Sequence, residues 1–320
     1  MAEILNISAA KGRALELLSA GEVVAIPTET VYGLAGDATS GTAVARIFEA
    51  KGRPRFNPLI AHVASLAMAE GIGVFDPVSR KLAEQFWPGP LTLVVPLKAE
   101  VAIHPLATAG LDTIALRHPK GIAGELIAAL GRPLAAPSAN SSGKVSATTA
   151  EAVEADLGAR IPLIIDGGQT PVGLESTIVK MDGDGLRLLR PGGIAAEEIE
   201  AAIGRKLLRD DSGKVEAPGM LASHYAPHAA LRMNAARVQP GEALLAFGPT
   251  RIAGADRAKA VLNLSATGDL REAAAKLFAH LSALDRSRAK TIAAEPVPDR
   301  GLGEAINDRL RRAAAPRDKF

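Results

Sequence analysis

The sequence predicts an α/β (α+β) protein: a twisted mixed-sheet domain over residues 1–207, a linker over 208–229 and a small α/β domain over 230–320. Three observations carry this. Short β-branched runs alternate with amphipathic stretches, the pattern of helices laid on a sheet. The alternation breaks from Asp210 to Pro227, where loop punctuation replaces periodicity. The chain has 320 residues, enough for two domains at roughly 150 each.

In chain order, Val23–Ile26, Leu59–Val63, Leu91–Val95, Thr113–Leu116, Leu163–Ile165 and Ser176–Val179 read as strands, being apolar runs rich in β-branched residues. Val44, Ile47 and Phe48 sit at helical spacing, and that helix should stop at Lys51-Gly52-Arg53-Pro54, where glycine suits the C′ position and proline cannot continue. Asp76-Pro77 opens the next helix as cap and first-turn residue, and Trp87-Pro88-Gly89-Pro90 closes it. Thr148 and Glu151 form a capping-box pattern ahead of Val153 and Leu157. Beyond the linker, strands are expected at Ala243–Phe247, Ala260–Leu264 and Thr291–Ala294, with helices at about Leu270–Leu284 and Leu302–Ala313. This is a reduced Rossmann-like arrangement. No Gly-x-Gly-x-x-Gly follows its first strand, and Ile306 stands where Gly301-Leu302-Gly303 would need its third glycine, which argues against a dinucleotide.

Composition narrows the function. The 37 basic and 35 acidic side chains leave a net charge of +2, too little to track a polynucleotide, so any basic site must be local. The absence of cysteine excludes a disulfide framework, thiolate zinc, iron–sulfur ligation and a cysteine nucleophile. With 7 Phe, 1 Trp and 2 Tyr, stacking platforms for single-stranded nucleic acid are scarce. Glu3, Lys11, Arg13 and Glu16 interrupt the apolar start that a secretory signal needs, and no run approaches the roughly 20 apolar residues of a membrane span. A cytoplasmic protein without membrane association is expected.

Four segments hold polar residues that a fold alone would not demand. Pro27-Thr28-Glu29-Thr30-Val31-Tyr32-Gly33-Leu34 follows a buried-looking strand, where ligands gather in such sheets, although a turn with local hydroxyl bonds would read the same. Lys51-Gly52-Arg53-Pro54-Arg55-Phe56-Asn57-Pro58-Leu59 sets three cations on a proline-stiffened loop, which suits a polyphosphate; the alternative is favourable charge at a helix C-terminus. His62 follows on the next strand, where a structural histidine is the commoner case. Strand alternation puts Thr113, Ala115 and Arg117 on one face, able to hold an anion or to form a surface ion pair. Ala136-Pro137-Ser138-Ala139-Asn140-Ser141-Ser142-Gly143-Lys144-Val145-Ser146 is a hydroxyl-rich stretch ahead of a helix, a phosphate cradle or a plain loop, and it is not a P-loop. No Gly-x-Ser-x-Gly elbow and no metal-ligand pairing occurs, so catalysis should come from positioning and charge neutralisation.

Taken together, Pro27–Gly33, Lys51–Leu59, Thr113–Pro119, Pro137–Gly143 and Glu175–Val179, followed by His224-Tyr225-Ala226-Pro227, resemble the YrdC-like family of threonylcarbamoyl-AMP synthases in its longer, two-domain form. The match spans about residues 1–228. Ser146-Ala147-Thr148 stands where Ser-Pro-Thr is common in that family. The resemblance implies condensation of L-threonine, bicarbonate and ATP into L-threonylcarbamoyladenylate with release of pyrophosphate, a nucleotidyl transfer that begins tRNA threonylcarbamoyladenosine modification. It implies that Thr30, His62, Arg117, Ala136 and Ser176 hold the amino acid. It gives Arg53, Asn57, Thr113, Ser138, Ser146, Arg190 and Tyr225 to ATP, and Lys51 with Arg53 to the catalytic phosphates. ATP is then a substrate accompanied by Mg²⁺, with no metal held by the protein's own ligands, and a tRNA threonylcarbamoyl transferase is the downstream partner. Linker 208–229, carrying Tyr225, is a candidate active-site lid.

The alternative is an RNA-binding regulatory protein of the same fold without catalysis, which near-neutral charge and few aromatics disfavour. A carbamoyl-transferring maturation factor of the hydrogenase type would carry cysteine-rich zinc modules, and this chain has none.

Overall fold

The computed structural model describes residues 1–209, 216–220 and 223–316. A mixed sheet forms the larger unit. Its strands are β1 (Glu3–Asn6), β2 (Val24–Ile26), β3 (Gly33–Asp37), β4 (Ile60–His62), β5 (Leu91–Pro96), β6 (Thr113–Arg117), β7 (Leu134–Ala135), β8 (Leu163–Asp166), β9 (Thr177–Asp182), β10 (Gly185–Arg190) and β11 (Leu208–Arg209). They lie in the order β1-β8-β2-β3-β7-β4-β6-β5-β9-β10-β11. Parallel pairs such as β4 with β6 are mixed with antiparallel ones such as β5 with β6.

Period-two alternation feeds two faces. On β6, Ile114 and Leu116 enter the main core with Leu93, Val95 and Val179. Ala115 points the other way and packs with Ile60, Val94, Ile178, Leu189 and Ala217, with Met220 beside them. That second face, roofed by residues from the linker, is where the polar motifs of β4, β6, β9 and β10 converge.

Helix ends follow the expected chemistry with one correction. Helix Gly41–Lys51 stops at Gly52 in the left-handed conformation (φ 57°), and Pro77–Phe86 starts from Asp76, whose carboxylate accepts from the amides of Val78 and Ser79. Helix Ala150–Leu157 is capped by Thr149 and not by Thr148: the Thr149 side chain accepts from the Ala152 amide. Thr148 is buried, and its carbonyl instead accepts from Thr170. Five strands of the larger unit were not expected, β1, β3, β7, β10 and β11, and the last, pairing with β10, extends the sheet into the stretch expected to be linker.

The second sheet contains β12 (Ala230–Arg232), β13 (Ala243–Ala246), β14 (Val261–Asn263) and β15 (Thr291–Ala294), ordered β12-β15-β13-β14 and parallel throughout. Helices Leu270–Arg286 and Leu302–Ala314 cover it. Its core also takes in Val31 and Leu174 from the first unit. The contact is close: a Cβ at Gly173, where φ is 72°, would lie 2.5 Å from the backbone of Ala274 and Ala275.

Candidate active site

A cleft opens on the second face of the large sheet. The turn after β2 brings Thr30 and Val31, β4 brings Ile60 and His62, and β6 ends in Arg117. Ala136, Pro137 and Ser138 follow β7, Glu175 and Ser176 precede β9, and Arg190 ends β10. Arg53 enters from the loop after helix Gly41–Lys51, and Pro218, Gly219, His224 and Tyr225 of the linker complete the wall. Every residue expected to hold an amino acid lines this one cavity. Of those expected to hold a nucleotide, Arg53, Ser138, Arg190 and Tyr225 line it. Lys51, Asn57 and Ser146 touch wall residues from behind it, whereas Thr113 starts β6 at the end opposite Arg117 and does not line the cavity.

Cations dominate one half. The Lys51 ammonium is buried and donates to the carbonyls of Ser138, at 2.5 Å, and Asn140. Burial, followed by the nearby charge of Arg53, holds its pKa well below the usual lysine range. Arg53 donates to the carbonyl of Pro58 at 2.8 Å and to that of Asn57 at 3.3 Å. Burial lowers its pKa to about 10, leaving it charged near neutrality. The Asn57 side-chain amide is fully buried without a hydrogen-bond partner among the described residues. A buried amide left open in this way is costly, and it sits beside the cationic loop where a ligand oxygen would satisfy it. Thr113 is half-buried at the start of β6.

The other half holds a paired arginine, oriented hydroxyls and a neutral imidazole. Arg117 pairs with Glu29 at 2.8 Å and donates from Nε to the carbonyl of Gly89 at 3.2 Å. Thr30 shares a 2.8 Å hydrogen bond with Thr28, and Ser176 shares one of 2.7 Å with Thr92, so both hydroxyls are oriented from behind. Burial, with the charge of Arg117 next, lowers His62 to about 3, which keeps the imidazole neutral. His224 is likewise brought to about 3, chiefly by burial, with Arg53 and Lys51 adding to the effect against Glu175.

Between the halves stands Glu175. Its Oε1 accepts from Ser146 at 2.5 Å and its Oε2 from Arg309 at 2.8 Å. Burial would raise its pKa, but the charges of Arg309 and Arg190, with these hydrogen bonds, bring it down to about 2. The motif reading had passed over three participants. Glu29 and Glu175 lay inside quoted motifs, where a carboxylate beside an arginine could have been noticed. Arg309 lies about 80 residues beyond the last of them, on an ordinary-looking basic helix. Among the described residues no group of three His, Cys, Asp or Glu could hold a metal ion, and no helix is long and apolar enough to cross a membrane. Around one cavity the arrangement sets cations that can neutralise a polyphosphate and an arginine that can hold a carboxylate.

Comparison with known proteins agrees with this geometry. A family model for Sua5/YciO/YrdC proteins, described as "Telomere recombination", matches residues 16–192, and one described as "Threonylcarbamoyl-AMP synthase, C-terminal domain" matches residues 194–315. The chain is 44% identical over 324 residues to a threonylcarbamoyl-AMP synthase of Bacillus subtilis, covering 95% of this chain and 93% of that one. It is 43% identical over 318 residues to one from Pyrococcus abyssi, covering 92% and 91%. The crystal structure of P. abyssi Sua5 complexed with L-threonine superposes with a TM-score of 0.88 at 38% identity, over 98% of this chain and 97% of that one. The chain belongs to the Sua5/YciO/YrdC family, in the longer form that carries the C-terminal domain of threonylcarbamoyl-AMP synthases.

Proposed function

We propose that this enzyme makes L-threonylcarbamoyladenylate from L-threonine, bicarbonate and ATP by nucleotidyl transfer, releasing pyrophosphate. The observation that carries the reading is the shared cavity: Arg117 on one side and Arg53 with Arg190 on the other face a single space. In the first step the threonine ammonium gives up a proton, and the resulting amine attacks the carbon of bicarbonate, forming the N–C bond of a carbamate as one water leaves. A carbamate oxygen then attacks the α-phosphorus of ATP, and the bond to pyrophosphate breaks. Both reactants are anions, so repulsion is the obstacle, and in-line placement with charge neutralisation is what the protein must supply.

Arg117 takes the threonine carboxylate, with Thr30, Ser176, Ala136 and neutral His62 around the rest of the amino acid. Arg53 and Lys51 face the phosphates, and Asn57, Thr113, Ser138, Ser146, Arg190 and Tyr225 position the nucleotide. Mg²⁺ arrives on the phosphates of ATP, because Glu175, the carboxylate of the wall, is engaged by Ser146 and Arg309. Residues 1–207 form the catalytic domain and 230–320 the accessory one. Linker 208–229 acts as a lid that shields the easily hydrolysed mixed anhydride from water. Positions 210–215 and 221–222 of that lid lie outside the described residues, and the described remainder supplies Pro218, Gly219, His224 and Tyr225 to the cavity wall. The product is passed to a tRNA threonylcarbamoyl transferase.

Pyrophosphate release tests the reading. It should require ATP, threonine and bicarbonate together, and release that ignores threonine would refute it. A truncated chain lacking residues 210–320 that kept full activity would refute the lid.

A further inference from the structure

Helix Leu302–Ala314 turns two faces inward. Ala305, Ile306, Leu310 and Ala313 pack into the second unit's own core. Arg309, at 0% exposure, points instead into the first unit. Its Nε donates to Glu175 at 2.8 Å, and its Nη1 donates to the carbonyl of Pro191 at 3.0 Å and to Asp308 at 2.6 Å. The guanidinium also lies 5.0 Å from the ring centroid of Tyr225, which stacks on Phe278 from the other helix at 5.5 Å. One turn on, the carbonyl of Arg312 accepts from the amide of His224 at 3.2 Å.

Such an arginine is a poor way merely to join two domains. A buried ion pair gives up hydration that the pairing barely restores, and apolar residues of similar volume usually hold an interface as well or better. What distinguishes Arg309 is the identity of its partners. Glu175 and Tyr225 line the cavity, Glu175 holds Ser146 through its other oxygen, and Pro191 adjoins Arg190 in the chain. Arg190 adds its charge beside Glu175 but donates no hydrogen bond to it, since its guanidinium is committed to Ser176 and to the carbonyl of Pro218.

We infer that Arg309 is a positioning residue for the nucleotide half of the site: through Glu175 and Tyr225 the second unit holds the ATP-binding wall in its working geometry. Arg309 itself does not line the cavity. The inference rests on the proposed synthase reading and adds to it a reason for the second unit's presence.

Steady-state pyrophosphate release by the full chain tests it, with Arg309→Met, Arg309→Lys, Glu175→Gln and the Glu175→Gln/Arg309→Met pair. Arg309→Met should raise the KM for ATP by about tenfold or more and leave the KM for threonine within about threefold. Arg309→Lys should fall between, because an ammonium keeps the charge but cannot span Glu175 and Pro191 together. Glu175→Gln should cost less in the Arg309→Met background than alone, since there it removes a buried carboxylate that has lost its ion pair and keeps only Ser146 and the charge of Arg190. An unchanged ATP KM in either Arg309 variant, an equal rise in both KM values, or strictly additive effects in the double variant would overturn the inference. If Arg309→Met does not fold, Arg309→Lys decides alone. If the unaltered chain releases no pyrophosphate, the synthase reading fails; direct titration of ATP onto the unaltered and Arg309→Lys chains then decides the role of Arg309, equal affinities overturning it.

Discussion

Arg190 grips Ser176 at three points: its Nη2 donates to the Ser176 carbonyl at 2.9 Å and to the hydroxyl at 3.2 Å, and its Nε donates to the same carbonyl at 3.2 Å. One residue is assigned to the nucleotide and the other to the amino acid, so the two subsites share a wall. Arg190→Met should therefore raise the KM values for ATP and for threonine together, each by about tenfold or more. Initial-rate titrations of both substrates check this, and an effect confined to ATP would separate the subsites.

Lys51 serves the fold as well as its proposed role at the phosphates. Its ammonium satisfies the carbonyls of Ser138 and Asn140 from a buried position. Lys51→Ala should abolish turnover and also destabilise the protein, by roughly 1–3 kcal/mol for a carbonyl left unpaired. Urea unfolding reads the second effect; a midpoint equal to that of the unaltered chain would show that water replaces the ammonium.

Acid should weaken the fold through the two buried imidazoles. His62 and His224 have pKa values lowered from 6.5 to about 3, so below 6.5 the unfolded chain binds protons that the folded chain refuses. Stability is complete above 6.5 and declines as pH falls toward 3. Glu175, lowered to about 2, adds a loss in the same direction only below its ordinary range near 4.5. Urea midpoints compared at about pH 7 and about pH 5 isolate the histidines. The midpoint should fall on acidification, and fall less in His62→Gln; an equal drop in both chains would rule out His62 as a contributor.

Gly192 marks a place where backbone meets backbone. A Cβ there would come within 2.3 Å of the Glu175 carbonyl oxygen and 2.5 Å of the Thr177 nitrogen. Gly192→Ala should displace the segment carrying Glu175 and Ser176, lowering stability by about 1–3 kcal/mol and activity further. Thermal unfolding and pyrophosphate release measured on one preparation check the pair of effects, and a fully active variant would mean that the segment yields without consequence.

What the sequence showed and what it hid divide along physical lines. The strands at Val24–Ile26, Leu91–Pro96 and Thr291–Ala294 were legible because β-branched residues pack well on pleated surfaces and leave a compositional mark. Gly33–Asp37, reading Gly-Leu-Ala-Gly-Asp, becomes a strand only because β2 and β7 flank it, and local preference gives no hint of that. The cap of helix Ala150–Leu157 moved from Thr148 to Thr149 because both threonines offer the same hydroxyl and tertiary burial claims the first. Motifs brought all the amino-acid candidates and four of the nucleotide candidates to one cavity, most of them from strand ends, with Arg53 and Tyr225 coming from loops. Arg309 left no such mark: on its helix it is one arginine beside Arg311 and Arg312, and only docking against Glu175 sets it apart.

The most direct measurement is mass spectrometry of the adenylate formed from ATP, L-threonine and ¹³C-bicarbonate. A shared cavity with Arg117 at the carboxylate and cations at the phosphates calls for a threonylcarbamoyl-adenylate carrying one ¹³C, with pyrophosphate in equal amount. An unlabelled threonyl-adenylate, or AMP formed with no threonine attached, would contradict it.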